Sequence, residues 1–114
     1  MKLERGAILQ VDFDPTLGHE QRGLRPAVLV SDPAVIAPTS AFRCCASCRS
    51  PRRRARELCI RNWSREPAGL KRSSYAMVDQ LRSVDKQRVR RVYGRLTDEE
   101  LAAIDDGLRL YLAL

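Results

Sequence analysis

Aromatic side chains are scarce in this chain: two Phe, three Tyr and one Trp in 114 residues. A core must therefore rest on Val, Leu, Ile and Ala, packed in small increments. There is one histidine, His19, so no set of imidazoles is available for a metal centre. No apolar run approaches the ~20 residues needed to span a bilayer. Lys2, Glu4 and Arg5 open the chain with no apolar region behind them, which does not read as a signal peptide. The expectation is a cytoplasmic protein with no membrane association. Neither an internal repeat nor a low-complexity linker is present. Cysteine is confined to one stretch, at Cys44, Cys45, Cys48 and Cys59, and in a reducing compartment these are expected as thiols. Cys45-x-x-Cys48 is half of a zinc pattern, but no second pair and no His-x-x-x-His follows, so no metal site and no cofactor is expected.

What is abundant is positive charge, +7 net. Residues 1–40 carry 4 basic and 5 acidic side chains, 41–66 carry 8 Arg against 2 Glu, 67–96 carry 8 basic against 2 Asp, and 97–114 carry 1 Arg against 5 acids. The basic charge thus lies in the middle of the chain. A polyanion is the natural partner for such a distribution, and a solvated basic surface is the alternative. The length suits one domain, 1–114, with a small but adequate core.

Residues 7–13 alternate as a half-buried strand, with Ile8, Gln10 and Asp12 on one face and Leu9, Val11 and Phe13 on the other. Residues 26–31 form a second strand that opens on Pro26, where no ladder donor is lost. Between them, residues 14–25 make a long loop for so small a domain, and long loops in compact domains are commonly functional. His19 and Glu20 can move protons, Arg22 and Arg25 can hold anionic oxygens, and Gly18 and Gly23 allow sharp turns. These are the groups that acid–base chemistry on a phosphodiester requires. An ordinary surface hairpin, with Glu20 and Arg25 paired in solvent, is the other reading.

Val35 to Ser40 is a short apolar run flanked by Pro33 and Pro38. Residues 41–66 show no sustained apolar period, and Arg52 to Arg56 is a block that should stay solvated. The segment reads either as a divergent arginine-rich insert or as non-native coding, such as a shifted reading frame, and it is a candidate for disorder. Leu58, Ile60 and Trp63 could be partly buried in a short helix or strand. From Ser73 to Leu81 a strand is expected, with Tyr75, Met77, Asp79 and Leu81 on one face and Ala76, Val78 and Gln80 on the other. A single helical turn within Val84–Val89 and an edge strand over Arg91–Leu96 follow. Thr97-Asp98-Glu99-Glu100 is a capping box for a helix from about Asp98 to Leu112, with acids suited to its N-terminus. Leu101, Ile104, Leu108 and Tyr111, with Leu112 beside them, form its apolar stripe.

The order Asp12-Phe13-Asp14-Pro15-Thr16-x-Gly18-x-Glu20-Gln21-x-Gly23-x-Arg25-Pro26-Ala27-Val28 resembles the opening of the MazF/PemK toxins, small endoribonucleases of bacterial type II toxin–antitoxin pairs. Gly69–Ser74 running into Val78–Lys86, and Gly94-Arg95-Leu96-Thr97 before the helix, agree as well. Together these cover roughly two thirds of the chain. The short strands, long early loop and terminal helix suggest a mainly β fold with a C-terminal helix. The resemblance implies a small SH3-like β-barrel of the MazF/PemK/CcdB kind, working as a homodimer and bound by a cognate antitoxin.

It also implies sequence-selective, metal-independent cleavage of single-stranded RNA, as an mRNA interferase. The RNA's own 2′-hydroxyl attacks phosphorus, a base takes its proton, an acid protonates the leaving 5′-oxygen, and cations hold the phosphorane. On this reading Glu20 is the base or orients it, and Arg25 grips phosphate oxygens through its planar fork. His19 shares the proton work or is merely solvated. Thr39 is a phosphate-facing threonine or a coincidence in a loop. Arg22, Gln21, Asp79, Gln80 and Arg82 are expected as RNA contacts. Some relatives carry an arginine two residues before the aspartate, where this chain has Met77. Asp79 and Gln80 are therefore better suited to base-edge or loop-anchoring contacts, or Asp79 simply receives backbone amides at a strand end. Two rival readings stand beside the enzyme: a non-catalytic nucleic-acid-binding module, and a degenerate, inactive toxin that binds only nucleic acid or antitoxin.

Overall fold

A computed structural model describes residues 3–13, 23–38, 41–48, 59–63 and 74–114, with backbone alone for 46–48, 59–63 and 74–75. The elements run β1 (Ala7–Asp12), β2 (Leu24–Leu29), α1 (Pro33–Ile36), β3 (Ala41–Cys48), β4 (Cys59–Trp63), β5 (Ser74–Asp85), a 3-10 turn (Lys86–Arg88), β6 (Val89–Arg95) and α2 (Asp98–Leu112). The strands form an antiparallel sheet in the order β4-β5-β3-β2-β1-β6. The fold is mainly β and barrel-like with a C-terminal helix, as the pattern of short strands implies.

Alternation along β1 divides the core in two. Leu9, Val11 and Phe13 join Ala27, Leu29, Phe42, Cys44, Met77 and Val84 on one face of the sheet. Ile8 joins Val28, Cys45 and Ala76 on the other, where Leu96 and Ile104 cover them. α2 packs on β4 and β5. Ile8, Leu9, Val11 and Phe13 are all fully enclosed, and burying each of these side chains stabilises the fold by ~1.5–3 kcal/mol. Gly6 ties three elements to the start of β1. Its N–H donates to Leu29 O at 2.7 Å and its carbonyl accepts from Leu96 N at 2.9 Å. With φ +87, and a Cβ position only 3.2 Å from Leu101 Cδ2, the site favours glycine.

Several expectations are corrected. Segment 41–66, which lacks a legible period, contributes β3 and β4. β3 lies between β2 and β5, and its Phe42, Cys44 and Cys45 are buried. The cysteines act here as small hydrophobes, pointing to opposite faces of a central strand. Residues 49–58 and 64–66 lie outside the described residues. Val35 and Ile36, from the short apolar run, belong to a helical turn. Pro33 opens that turn, and Asp32 Oδ1 accepts from Ala34 N at 2.8 Å. Met77 and Leu81 do not share a face: Met77 packs with Leu9 and Phe13, while Leu81 packs with Ile8. The pairing of β5 with β3 slips between Cys45↔Leu81 and Ser47↔Ala76, and such an irregularity reverses the side-chain alternation. In α2, Leu101 and Ile104 are buried, but Tyr111 is 44% exposed and Leu112 46%. Burial ends at Gly107 and Leu108, so the last turn reaches beyond the sheet.

Candidate functional site

Residues 14–22 connect β1 to β2 in the chain. The foot of this connection is closed by Phe13 N–H donating to Gly23 O at 2.9 Å, with Gly23 at φ 67, a left-handed value that suits glycine. β2 begins at Leu24, two residues before the expected start. Arg25 is therefore a strand residue opposite Val11 rather than part of the loop. Strand alternation puts it on the face shared by Ala27 and Leu29, and it is exposed. Three more arginines reach the end of β1. The Arg82 guanidinium, from β5, lies 5.2 Å from the Phe13 ring centroid. Arg88, from the 3-10 turn, donates Nη1 to Asp12 O at 3.1 Å. Arg90, from β6, donates Nη2 to Asp12 Oδ2 at 3.5 Å and Nη1 to Gln87 O at 2.7 Å. The loop thus springs from a strongly cationic end of the sheet.

His19, Glu20, Gln21, Arg22 and Thr39 lie outside the described residues, as does Gly18. Of the expected site residues that are described, Arg25 and Arg82 stand at the foot of the loop. Asp79 and Gln80 fall in the irregular stretch of β5, half-buried. Asp79 sits by Cys45 and has a buried Oδ1 with no hydrogen-bond partner among the described residues. Desolvation first, and the Asp79 charge second, push the Cys45 thiol up to about 12. Burial pushes Cys44 up as well, with a smaller contribution from its neighbour Cys45. Both thiols are thus held protonated near neutral pH, which disfavours either as a nucleophile. Among the described residues no group of three or more His, Cys, Asp or Glu side chains could hold a metal ion. Arg88 and Arg90 belong to this region but carry no sequence signal for it beyond the general basic charge of 67–96, whereas Asp12 and Phe13 open the motif that carries the resemblance.

A cavity of about 420 Å³ opens at the other end of β1, lined by Leu3, Arg5, Ile36, Lys86 and Arg95 among others. Its cations are already engaged. Arg5 pairs with Asp105, Arg95 approaches Asp98 at 3.6 Å, and Lys86 Nζ donates to Ala37 O at 3.3 Å. No helix among the described residues is long and apolar enough to cross a membrane.

A family model described as PemK-like, MazF-like toxin of type II toxin–antitoxin system matches residues 4–112. Endoribonuclease MazF9 of Mycobacterium tuberculosis is 34% identical, with 98% of each chain covered. Endoribonuclease EndoA of Bacillus subtilis is 28% identical, covering 100% of this chain and 97% of its own. The crystal structure of MazF from Deinococcus radiodurans is similar at a TM-score of 0.80 and 26% identity, over 98% of this chain and 97% of that one.

Proposed function

The chain belongs to the PemK-like, MazF-like toxins of type II toxin–antitoxin systems, and on that premise we propose that it is an endoribonuclease that cuts single-stranded RNA. The observation that carries the reading is the root of the 14–22 loop. Residues 14–22, which hold His19, Glu20, Gln21 and Arg22, connect β1 to β2, and the connection is flanked by Arg25 at the start of β2 and by Arg82, Arg88 and Arg90 against the end of β1. Proton-transfer groups beside a concentration of guanidinium are what phosphodiester cleavage asks for.

In the proposed reaction RNA supplies its own nucleophile. Glu20 takes or orients the 2′-hydroxyl proton, and Arg25 holds the charged phosphorane through two parallel N–H donors. His19 shares the acid–base work at the leaving 5′-oxygen. Thr39 faces the phosphate. Gln21, Arg22, Asp79 and Gln80 read splayed-out bases, which a single strand presents and a duplex does not. The chemistry needs no metal, because charge stabilisation and proton transfer are both supplied by side chains.

The whole of 1–114 acts as one toxin domain, a reading supported by a family match from residue 4 to 112. It works in the cytoplasm, where the substrate and a cognate antitoxin partner are found. It acts as a homodimer, for which the exposed Leu110, Tyr111, Leu112 and Leu114 supply apolar surface.

The test is incubation of the purified protein with a long single-stranded RNA in chelator, beside Glu20→Gln and Arg25→Ala. Discrete fragments from the wild type alone, with both variants folded, are the expected result. Strongly salt-dependent binding without cleavage would replace the enzyme with a binding module.

A further inference from the structure

We propose that Arg82 is a positioning residue that acts through the Phe13 ring to hold the root of the 14–22 loop, rather than an RNA contact. This rests on the endoribonuclease reading of the loop. Phe13 is the last residue before the loop and is fully buried, so its ring is out of reach of a substrate. Its own N–H closes the loop foot against Gly23 O. The Arg82 guanidinium lies over that ring at 5.2 Å, crossing from β5 to the end of β1. These strands are not neighbours in the sheet, since β3 and β2 lie between them. The contact therefore braces the loop root across the barrel rather than along a ladder.

The residue before Phe13 is held in the same manner. Arg88 bonds the Asp12 carbonyl and Arg90 approaches its carboxylate. Three guanidinium groups from β5, the 3-10 turn and β6 thus converge on two consecutive residues. A guanidinium committed to an aromatic face keeps its plane fixed. Catalytic groups carried on a loop lose rate steeply when displaced, by up to ~100-fold for about 1 Å. A brace on the root should therefore appear in turnover more than in affinity.

Two variants separate bracing from contact. Arg82→Lys keeps the charge that a phosphate would feel but loses the planar face over the ring. Phe13→Leu keeps apolar bulk and removes the ring. The brace predicts that each lowers kcat by about tenfold with KM little changed, and that the double variant is no worse than either single one. Amide exchange at Phe13 should rise in all three, measured on preparations whose melting confirms that they are folded. If Phe13→Leu cleaves like the wild type while Arg82→Lys raises KM, Arg82 contacts RNA directly and the proposal is overturned. Additive losses in the double variant would overturn it too. A wild type that cuts no RNA would defeat the endoribonuclease reading instead. The exchange measurement would then decide the brace alone, and unchanged protection at Phe13 would reject it.

Discussion

Asp79 presents a buried Oδ1 with no hydrogen-bond partner among the described residues, beside a thiol that its charge helps to keep protonated. An unmet buried oxygen costs ~1–3 kcal/mol, and such a cost persists where function requires the group. Asp79→Ala is accordingly expected to melt no lower than the wild type, within ~1 kcal/mol, while the mapped RNA cleavage sites change. A large fall in stability would make Asp79 a structural anchor. The buried thiols make a separate prediction. Cys45 ionises at 9.0 ordinarily and near about 12 in the fold, and Cys44 is raised in the same direction. Below pH 9 each thiol is neutral in both states, so its contribution is fully present. Above that the unfolded chain ionises first, and stability falls as pH rises from about 9 to about 12, by ~1.4 kcal/mol per pH unit per thiol. Denaturant titrations across this range should show a shallower slope for Cys44→Ala/Cys45→Ala than for the wild type. At this scale the sequence reveals which side chains can do acid–base work. It reveals nothing of Arg82 over Phe13, because that contact joins residues far apart in the chain through the barrel.

α2 is the element read most fully from sequence, since its start is written in local chemistry. Thr97 Oγ1 accepts from Glu100 N at 3.2 Å, and Thr97 N–H donates to Glu100 Oε1 at 3.0 Å. Thr97→Ala is expected to cost ~1 kcal/mol, measurable by urea denaturation, and an unchanged midpoint would contradict the cap's contribution. The far end of α2 is less legible. Apolar spacing continues to Tyr111, but exposure rises after Leu108, because periodicity says which face is apolar and not how far the sheet beneath it extends. β3 shows the opposite failure. Its alternation of Phe42 and Cys44 inward with Arg43 outward is a strand pattern only when cysteine counts as apolar. The slip in β5 is also silent in sequence. No glycine or proline marks it, so the face assigned to Leu81 was reversed by tertiary pairing alone.

For the molecule as a whole, charge and apolar surface are separated. Basic residues fill 41–96, whereas the last helix carries five acids on its way to an exposed apolar end. In the proposed function the first region meets RNA and the second meets another copy of the chain. Leu110→Glu/Leu112→Glu, on side chains already exposed, should leave folding intact and shift the sedimentation of the homodimer to that of a monomer. A variant that sediments like the wild type would place the dimer contact elsewhere.

The central claim is that RNA is cut by attack of its own 2′-hydroxyl. The most direct measurement is the end chemistry of the products, made in chelator on one single-stranded RNA and on the same strand with 2′-deoxynucleotides throughout. Fragments with 2′,3′-cyclic phosphate and 5′-hydroxyl ends are expected from the RNA, none from the deoxy strand, and none from RNA treated with Arg25→Ala. Equal cutting of both strands, or intact RNA after treatment with folded wild-type protein, would contradict it.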